Sequence, residues 1–138
     1  MRAFLDTSSL FKKYVTERDF AKLDDILSEV SEITVSPITL LEMHSVIERK
    51  VREKSLSHAQ ALEVEKNMNA DFDYFGVVVW NENLQITAKK LIRKYPLKVL
   101  DSLQLASGKL SEPAIFITSD KQLFKYAQDE VKRAVFID

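Results

Sequence analysis

Four carboxylates stand where an acid has chemical consequences. Asp6 closes an apolar run in Phe4-Leu5-Asp6-Thr7-Ser8-Ser9, and Asp120 closes another in Ile115-Phe116-Ile117-Thr118-Ser119-Asp120. Glu42 follows a third run in Ser36-Pro37-Ile38-Thr39-Leu40-Leu41-Glu42-Met43, and Asp101 opens the helical pattern Leu100-Asp101-Ser102-Leu103-Gln104-Leu105-Ala106. Brought to one place, such groups repel by roughly 1 to 4 kcal/mol per close pair, so folding alone does not gather them. A divalent cation does. Oxygen ligands without Cys or His select Mg²⁺ or Mn²⁺, which take one or two carboxylates and complete their shell with water and phosphate oxygens. Two such ions about 3.5–4 Å apart, one activating water and the other stabilising the leaving oxygen, are the usual route to phosphodiester hydrolysis.

Each acid also has a simpler explanation. Asp6 and Asp101 are candidates for N-caps or first-turn acids, a role worth about 1 kcal/mol. Ser119 with Gln122 reads as a capping box, which leaves the Asp120 carboxylate without that job. Glu42 lies at the edge of an apolar stripe of Leu40, Met43, Val46, Ile47 and Val51, next to Val46.

The elements that must position these acids alternate along the chain. Residues 2–6, 33–36, 77–80, 114–118 and 134–137 are short apolar runs, as expected of parallel strands covered on both faces. Between them, residues 37–54, 57–74, 83–95 and 100–110 repeat apolar positions at three and four, as crossover helices do. The fold class expected is α/β in three layers: a mostly parallel sheet of about five strands with helices on both faces. Ligands bind such sheets beyond the carboxyl ends of the strands, where the acids fall. Pro37 is expected at a helix start, Pro96 after a helix end, and Ser57 as an N-cap beyond the turn Lys54-Ser55-Leu56-Ser57.

Composition removes other chemistries. The 138 residues contain no cysteine, so thiol nucleophiles, iron–sulfur clusters and cysteine-ligated zinc are excluded. His44 and His58 are too far apart for a His-Glu-x-x-His zinc motif, and Gly76 and Gly108 cannot build a phosphate-cradling glycine loop. With a formal net charge of −1, any polyanion site must be local. No secretory h-region or membrane span is present in the sequence, and a single domain over residues 1–138 in the cytoplasm is expected.

Leu5-Asp6-Thr7-Ser8-Ser9-Leu10, Ser36-Pro37-Ile38-Thr39-Leu40-Leu41-Glu42, Leu100-Asp101-Ser102-Leu103-Gln104-Leu105-Ala106 and Thr118-Ser119-Asp120-Lys121-Gln122-Leu123 together resemble, in order and spacing, the PIN-domain family. The nearest branch is the VapC-type toxin ribonuclease of prokaryotic toxin–antitoxin pairs. The resemblance implies a PIN-like fold and a Mg²⁺- or Mn²⁺-dependent endoribonuclease, usually a homodimer. It further implies an antitoxin partner whose C-terminal segment fills the active-site groove, with transfer or ribosomal RNA as substrate. By position, Asp6, Glu42, Asp101 and Asp120 would form the catalytic metal cluster, with Ser8 and Thr118 in support. Many relatives follow the first motif with a Glu-Pro-Gly-Ser-like turn. This chain reads Thr16-Glu17-Arg18-Asp19-Phe20, so a differently shaped first loop is expected.

Lys12, Lys13 and Arg49 are candidates to receive RNA phosphates, against the ordinary reading of solvated helix charges. His44 points away from Glu42 on a helix and is a poor general base; His58 has no evident role. Phe11, Tyr14, Phe20, Phe72, Tyr74 and Phe75 read as core or partner surface rather than base-stacking platforms. Haloacid-dehalogenase-like phosphatases need a second Asp where this chain has Ser8, and receiver domains need an Asp after the third strand, where it has Trp80-Asn81-Glu82. The alternative that survives is a catalytically silent PIN-like binding or scaffold module.

Overall fold

The computed structural model describes residues 1–15 and 20–138; the expected departure in the first loop lies outside the described residues. In chain order the elements are β1 (Arg2–Leu5), α1 (Thr7–Tyr14), α2 (Phe20–Leu27), β2 (Glu32–Val35), α3 (Thr39–Arg52) and α4 (His58–Phe72). There follow β3 (Gly76–Val77), α5 (Glu82–Lys94), α6 (Val99–Leu110), β4 (Ile115–Thr118), α7 (Lys121–Ala127) and β5 (Ala134–Phe136). The strands form one sheet in the order β3-β2-β1-β4-β5, and the pairings are parallel. This is the three-layer α/β fold expected.

Strand alternation divides the interior in two. Ala3 and Leu5 of β1 and Ile115 and Ile117 of β4 face one side, where they meet Leu10 and Phe11 of α1, Met43 and Ile47 of α3 and Met68 of α4. Phe4 and Phe116 point to the other side, among Leu84 and Leu91 of α5, Leu103 and Ala106 of α6 and Leu123 of α7. Successive strand side chains must point to opposite faces, so the consecutive apolar residues Ala3-Phe4-Leu5 and Ile115-Phe116-Ile117 supply both cores at once.

Three details depart from the expected elements. The run 77–80 is a strand only at Gly76–Val77, with one further hydrogen bond from Val78 N to Val35 O; Val79 and Trp80 leave the sheet and are exposed. Among the described residues it is an edge strand, and Asn81 turns the chain away by capping α5 through Leu84 N. Pro37 lies in a turn before α3 rather than at its start, because the residue before a proline is held extended and so Ser36 continues β2's path. The buried stripe of α3 is accordingly Thr39, Met43 and Ile47; Leu40 is exposed, and Val46 and Val51 are half-buried. The eight-residue α2 was not expected. Ser57 does cap α4, as a full capping box with Gln60.

Helix α6 is held with particular closeness. Gly108 lies against the stacked rings of Phe4 and Phe116, whose centroids are 5.1 Å apart. At its far end, Lys109 of α6 and Lys94 of α5 both donate to the Glu130 carboxylate, whose pKa is lowered to about 2 because these bonds outweigh its burial. A Cβ at position 108 would penetrate the Phe116 ring. Gly108→Ala is therefore expected to destabilise the protein by roughly 1–3 kcal/mol, although alanine is the better helix former by about 1 kcal/mol. Urea unfolding checks this, and unchanged or increased stability would contradict the packing described.

Candidate active site

The carboxyl ends of β1 and β4 lie side by side at the centre of the sheet, and helices α1 and α7 start from them. Asp6 caps α1: its Oδ1 accepts from Ser9 N at 3.0 Å and from Ser9 Oγ at 2.8 Å. Its Oδ2 accepts from Thr118 Oγ1 at 2.6 Å, and Ser8 Oγ lies within hydrogen-bond distance of both oxygens. The same hydroxyls receive backbone amides from beyond β4: Ser119 N donates to Ser8 Oγ at 2.9 Å and Asp120 N to Thr118 Oγ1 at 3.0 Å. The two residues expected in support thus join the first acid to the loop that presents the fourth. Asp6 is almost wholly buried, and desolvation raises its pKa to about 6 against the hydrogen bonds from Thr118, Ser9 and Ser8, which lower it.

Asp120 is itself the N-cap of α7, its Oδ1 accepting from Gln122 N at 2.9 Å and Leu123 N at 3.1 Å. The expected Ser119 capping box is therefore not formed, and the buried Ser119 Oγ has no partner among the described residues. A carboxylate one residue closer to the helix competes successfully for the same amides, since the charged acceptor makes the stronger bond. Asp101 is not a cap. Lys98 stands at the N-cap position of α6 without a side-chain bond, and Asp101 follows in the first turn, half-buried. Burial first, and then the like charges of Asp120 and Glu42, push the Asp101 carboxyl above its usual range; Lys98 pulls the other way.

Glu42 leans in from α3. Its Oε1 accepts from Thr7 Oγ1 at 2.8 Å and from Gln104 Nε2 at 2.6 Å. Asp6, Glu42, Asp101 and Asp120, together with Thr7, Ser8, Phe11, Val46, Arg49, Lys50 and Gln104, line one cleft of about 330 Å³. Of the expected phosphate-binding residues, Arg49 is in this wall. Lys13 is not: it donates to Asp71 of α4 at 2.7 Å, and Lys12 is likewise outside the lining. His44 Nδ1 faces Glu65 at 3.6 Å, away from the acids, as the helical offset implies. Phe11 is core, Phe72 and Phe75 pack against it, and Tyr74 is exposed.

Gln104 and Thr7 were missed as site residues. The signal was present, because Gln104 follows Asp101 at i+3 and so shares its helix face, while Thr7 adjoins Asp6. A buried glutamine three residues from an acid gives no charge pattern to notice.

The donor set suits a hard cation, being oxygen throughout, and mutual repulsion at Asp101 is the condition such a cation relieves. Among the described residues, no three His, Asp or Glu side chains converge closely enough to chelate one ion by themselves. That fits ions that keep much of their water and take one or two carboxylates directly.

The chain belongs to the PIN domain family, whose model matches residues 3–129. Its fold is similar to that of VapBC2 from Rickettsia felis, solved bound to a promoter DNA fragment (TM-score 0.72, 12% identity, 100% of both chains covered). It is also similar to a toxin–antitoxin complex from Klebsiella pneumoniae (TM-score 0.64, 19% identity, 88% of this chain and 89% of that one). A third neighbour is VapBC-5 of Mycobacterium tuberculosis (TM-score 0.64, 12% identity, 99% and 98%). No curated protein sequence matches. Among the described residues, no helix is long and apolar enough to cross a membrane.

The buried Asp6 carboxylate sets a pH dependence. An acid whose folded-state pKa is raised contributes to stability while protonated, and that contribution is lost as pH rises from about 4 through about 6. Ionised Asp6 therefore opposes folding at neutral pH by up to about 3 kcal/mol in metal-free protein. In chelator, Asp6→Asn is expected to gain on the parent protein in melting temperature between pH 4 and pH 7. A constant deficit across that range would mean that the carboxylate serves the fold only as a helix cap.

Proposed function

We propose that the protein is a Mg²⁺- or Mn²⁺-dependent endoribonuclease of the VapC type, the toxin of a type II toxin–antitoxin pair. The observation that carries this reading is the cleft itself: four carboxylates from four separate elements line it, and two of them raise the pKa of a third. Asp6, Glu42, Asp101 and Asp120 are the residues that would hold the ion. When bound, a divalent cation supplies positive charge to phosphate oxygens and an acidified water. Ser8 and Thr118 keep the Asp6 carboxylate turned to one orientation, and Arg49 on the α3 wall offers a guanidinium to an RNA phosphate. Transfer or ribosomal RNA as substrate, a homodimer and a cytoplasmic location complete the proposal.

Removing one acid misplaces the ion and the phosphate together, so Asp6→Asn, Glu42→Gln, Asp101→Asn and Asp120→Asn should each lower Mn²⁺-dependent RNA cleavage by about 10²-fold or more. Cleavage undiminished in the Asp6→Asn or Asp101→Asn protein would sink the assignment. A second reading, a silent scaffold, is favoured by the capping roles of Asp6 and Asp120. It predicts no metal-dependent cleavage by the parent protein.

The same cleft suits an inhibitory partner. Three of its structural neighbours are described as VapBC or toxin–antitoxin assemblies, and a small antitoxin that places an Arg or Lys among the four carboxylates would neutralise them much as a cation does. Co-expression with a cognate antitoxin should abolish cleavage, and excess Mn²⁺ should weaken the complex. A complex that cleaves RNA at the free protein's rate would rule out this mode of inhibition.

A further inference from the structure

Gln104 occupies an unusual position for a neutral, flexible side chain. It is almost wholly buried on α6, between the first turns of α1 and α3. Its Nε2 lies 2.6 Å from Glu42 Oε1, 2.9 Å from Thr7 Oγ1 and 3.3 Å from Thr39 Oγ1. The orientation of the amide follows from these neighbours. Glu42 Oε1 can only accept, and Thr7 spends its hydroxyl proton on that same oxygen, so Thr7 Oγ1 is left to accept from Gln104. Turning the amide over would set Gln104 Oε1 against Glu42 Oε1, two acceptors with no proton between them. The consequence is that Gln104 Oε1 is buried with no partner among the described residues. Folding alone gains nothing from this arrangement, since an apolar side chain of the same size would fill the space without an unpaired polar atom.

What the arrangement does is hold one carboxylate oxygen. Thr7 and Gln104 both donate to Glu42 Oε1, whereas no hydrogen bond reaches Oε2 from the described residues. We infer that Gln104 is a positioning residue: through a neutral amide it locks the Glu42 carboxylate so that Oε2 is presented to a divalent cation in the cleft. A lysine or arginine in its place would also orient Glu42, but its charge would compete with the cation. The amide orients without neutralising. This inference rests on the cation-binding reading proposed above.

The test is Mn²⁺ affinity, measured by calorimetric titration of the full chain without RNA. Gln104→Met keeps the volume and removes the donor; it should weaken Mn²⁺ binding about tenfold or more while the melting temperature in chelator stays close to that of the parent. Gln104→Asn, one methylene shorter, keeps the polarity and should show the same loss if the methionine variant does not fold. In a Glu42→Gln background, Gln104→Met should cost no further affinity, because Gln104 acts through Glu42. Parent affinity in a folded Gln104 variant, or an additive loss in the double variant, overturns the inference and leaves the metal site standing. Identical Mn²⁺ titrations for the parent and Glu42→Gln proteins would instead overturn Glu42's role in the metal site, and the inference with it.

Discussion

The arrangement turns on a single buried carboxylate at the end of the central strand. Asp6 satisfies the first turn of α1, receives the hydroxyl at the end of β4, and through Ser8 and Thr118 fixes the amides that lead into α7. Burial of an acid is costly unless donors surround it; here the donors come from α1 and β4, and the same hydroxyls hold the amides that lead into α7. Each of them is thereby placed relative to the others to within a hydrogen bond's length. The geometry that makes Asp6 tolerable to the fold is the geometry that brings Asp120 to the cleft.

The other two acids depend on helices that cross the end of the sheet. Glu42 enters from α3 and Asp101 from α6, and Gln104 spans the gap between these helices beneath the acids. Helix α6 cannot shift to accommodate a change there, because Gly108 leaves no space between its backbone and the Phe4–Phe116 pair and Lys109 is tied to Glu130. The placement of Asp101 and Gln104 is thus referred back to close packing in the second core. Proteins hold reacting groups in this way because loosely supported side chains lose most of the benefit of proximity.

Much of this was legible from the residues, for identifiable reasons. Unbroken apolar runs such as Ile115-Phe116-Ile117 admit few alternatives, and helices long enough to repeat their pattern, such as α4 and α5, appear within a residue or two of their expected ends. Asp6 and Asp120 were visible as punctuation at the ends of such runs, and Glu42 and Asp101 on the helical patterns close behind. What escaped notice is local competition. Whether Ser119 or Asp120 caps α7 depends on which acceptor reaches the amides, and whether Leu40 is core depends on a turn forced by Pro37. Gln104 escaped because an amide carries no sign. Its role exists only once α1, α3 and α6 are side by side, and no spacing within one segment encodes that.

Thr118 and Asp6 are separated by 112 positions along the chain, yet they share a hydrogen bond at the centre of the sheet. During synthesis, β1 can pair with β2 early, but its other edge stays open until β4 has emerged, and Asp6 is without its Thr118 donor until then. A chain that lacks β4 therefore leaves Asp6 without that hydrogen bond and β1 with one edge unpaired. Contacts this distant are slow to form. The closing of the cleft thus waits on the pairing of the first strand with one encoded near the other end of the chain.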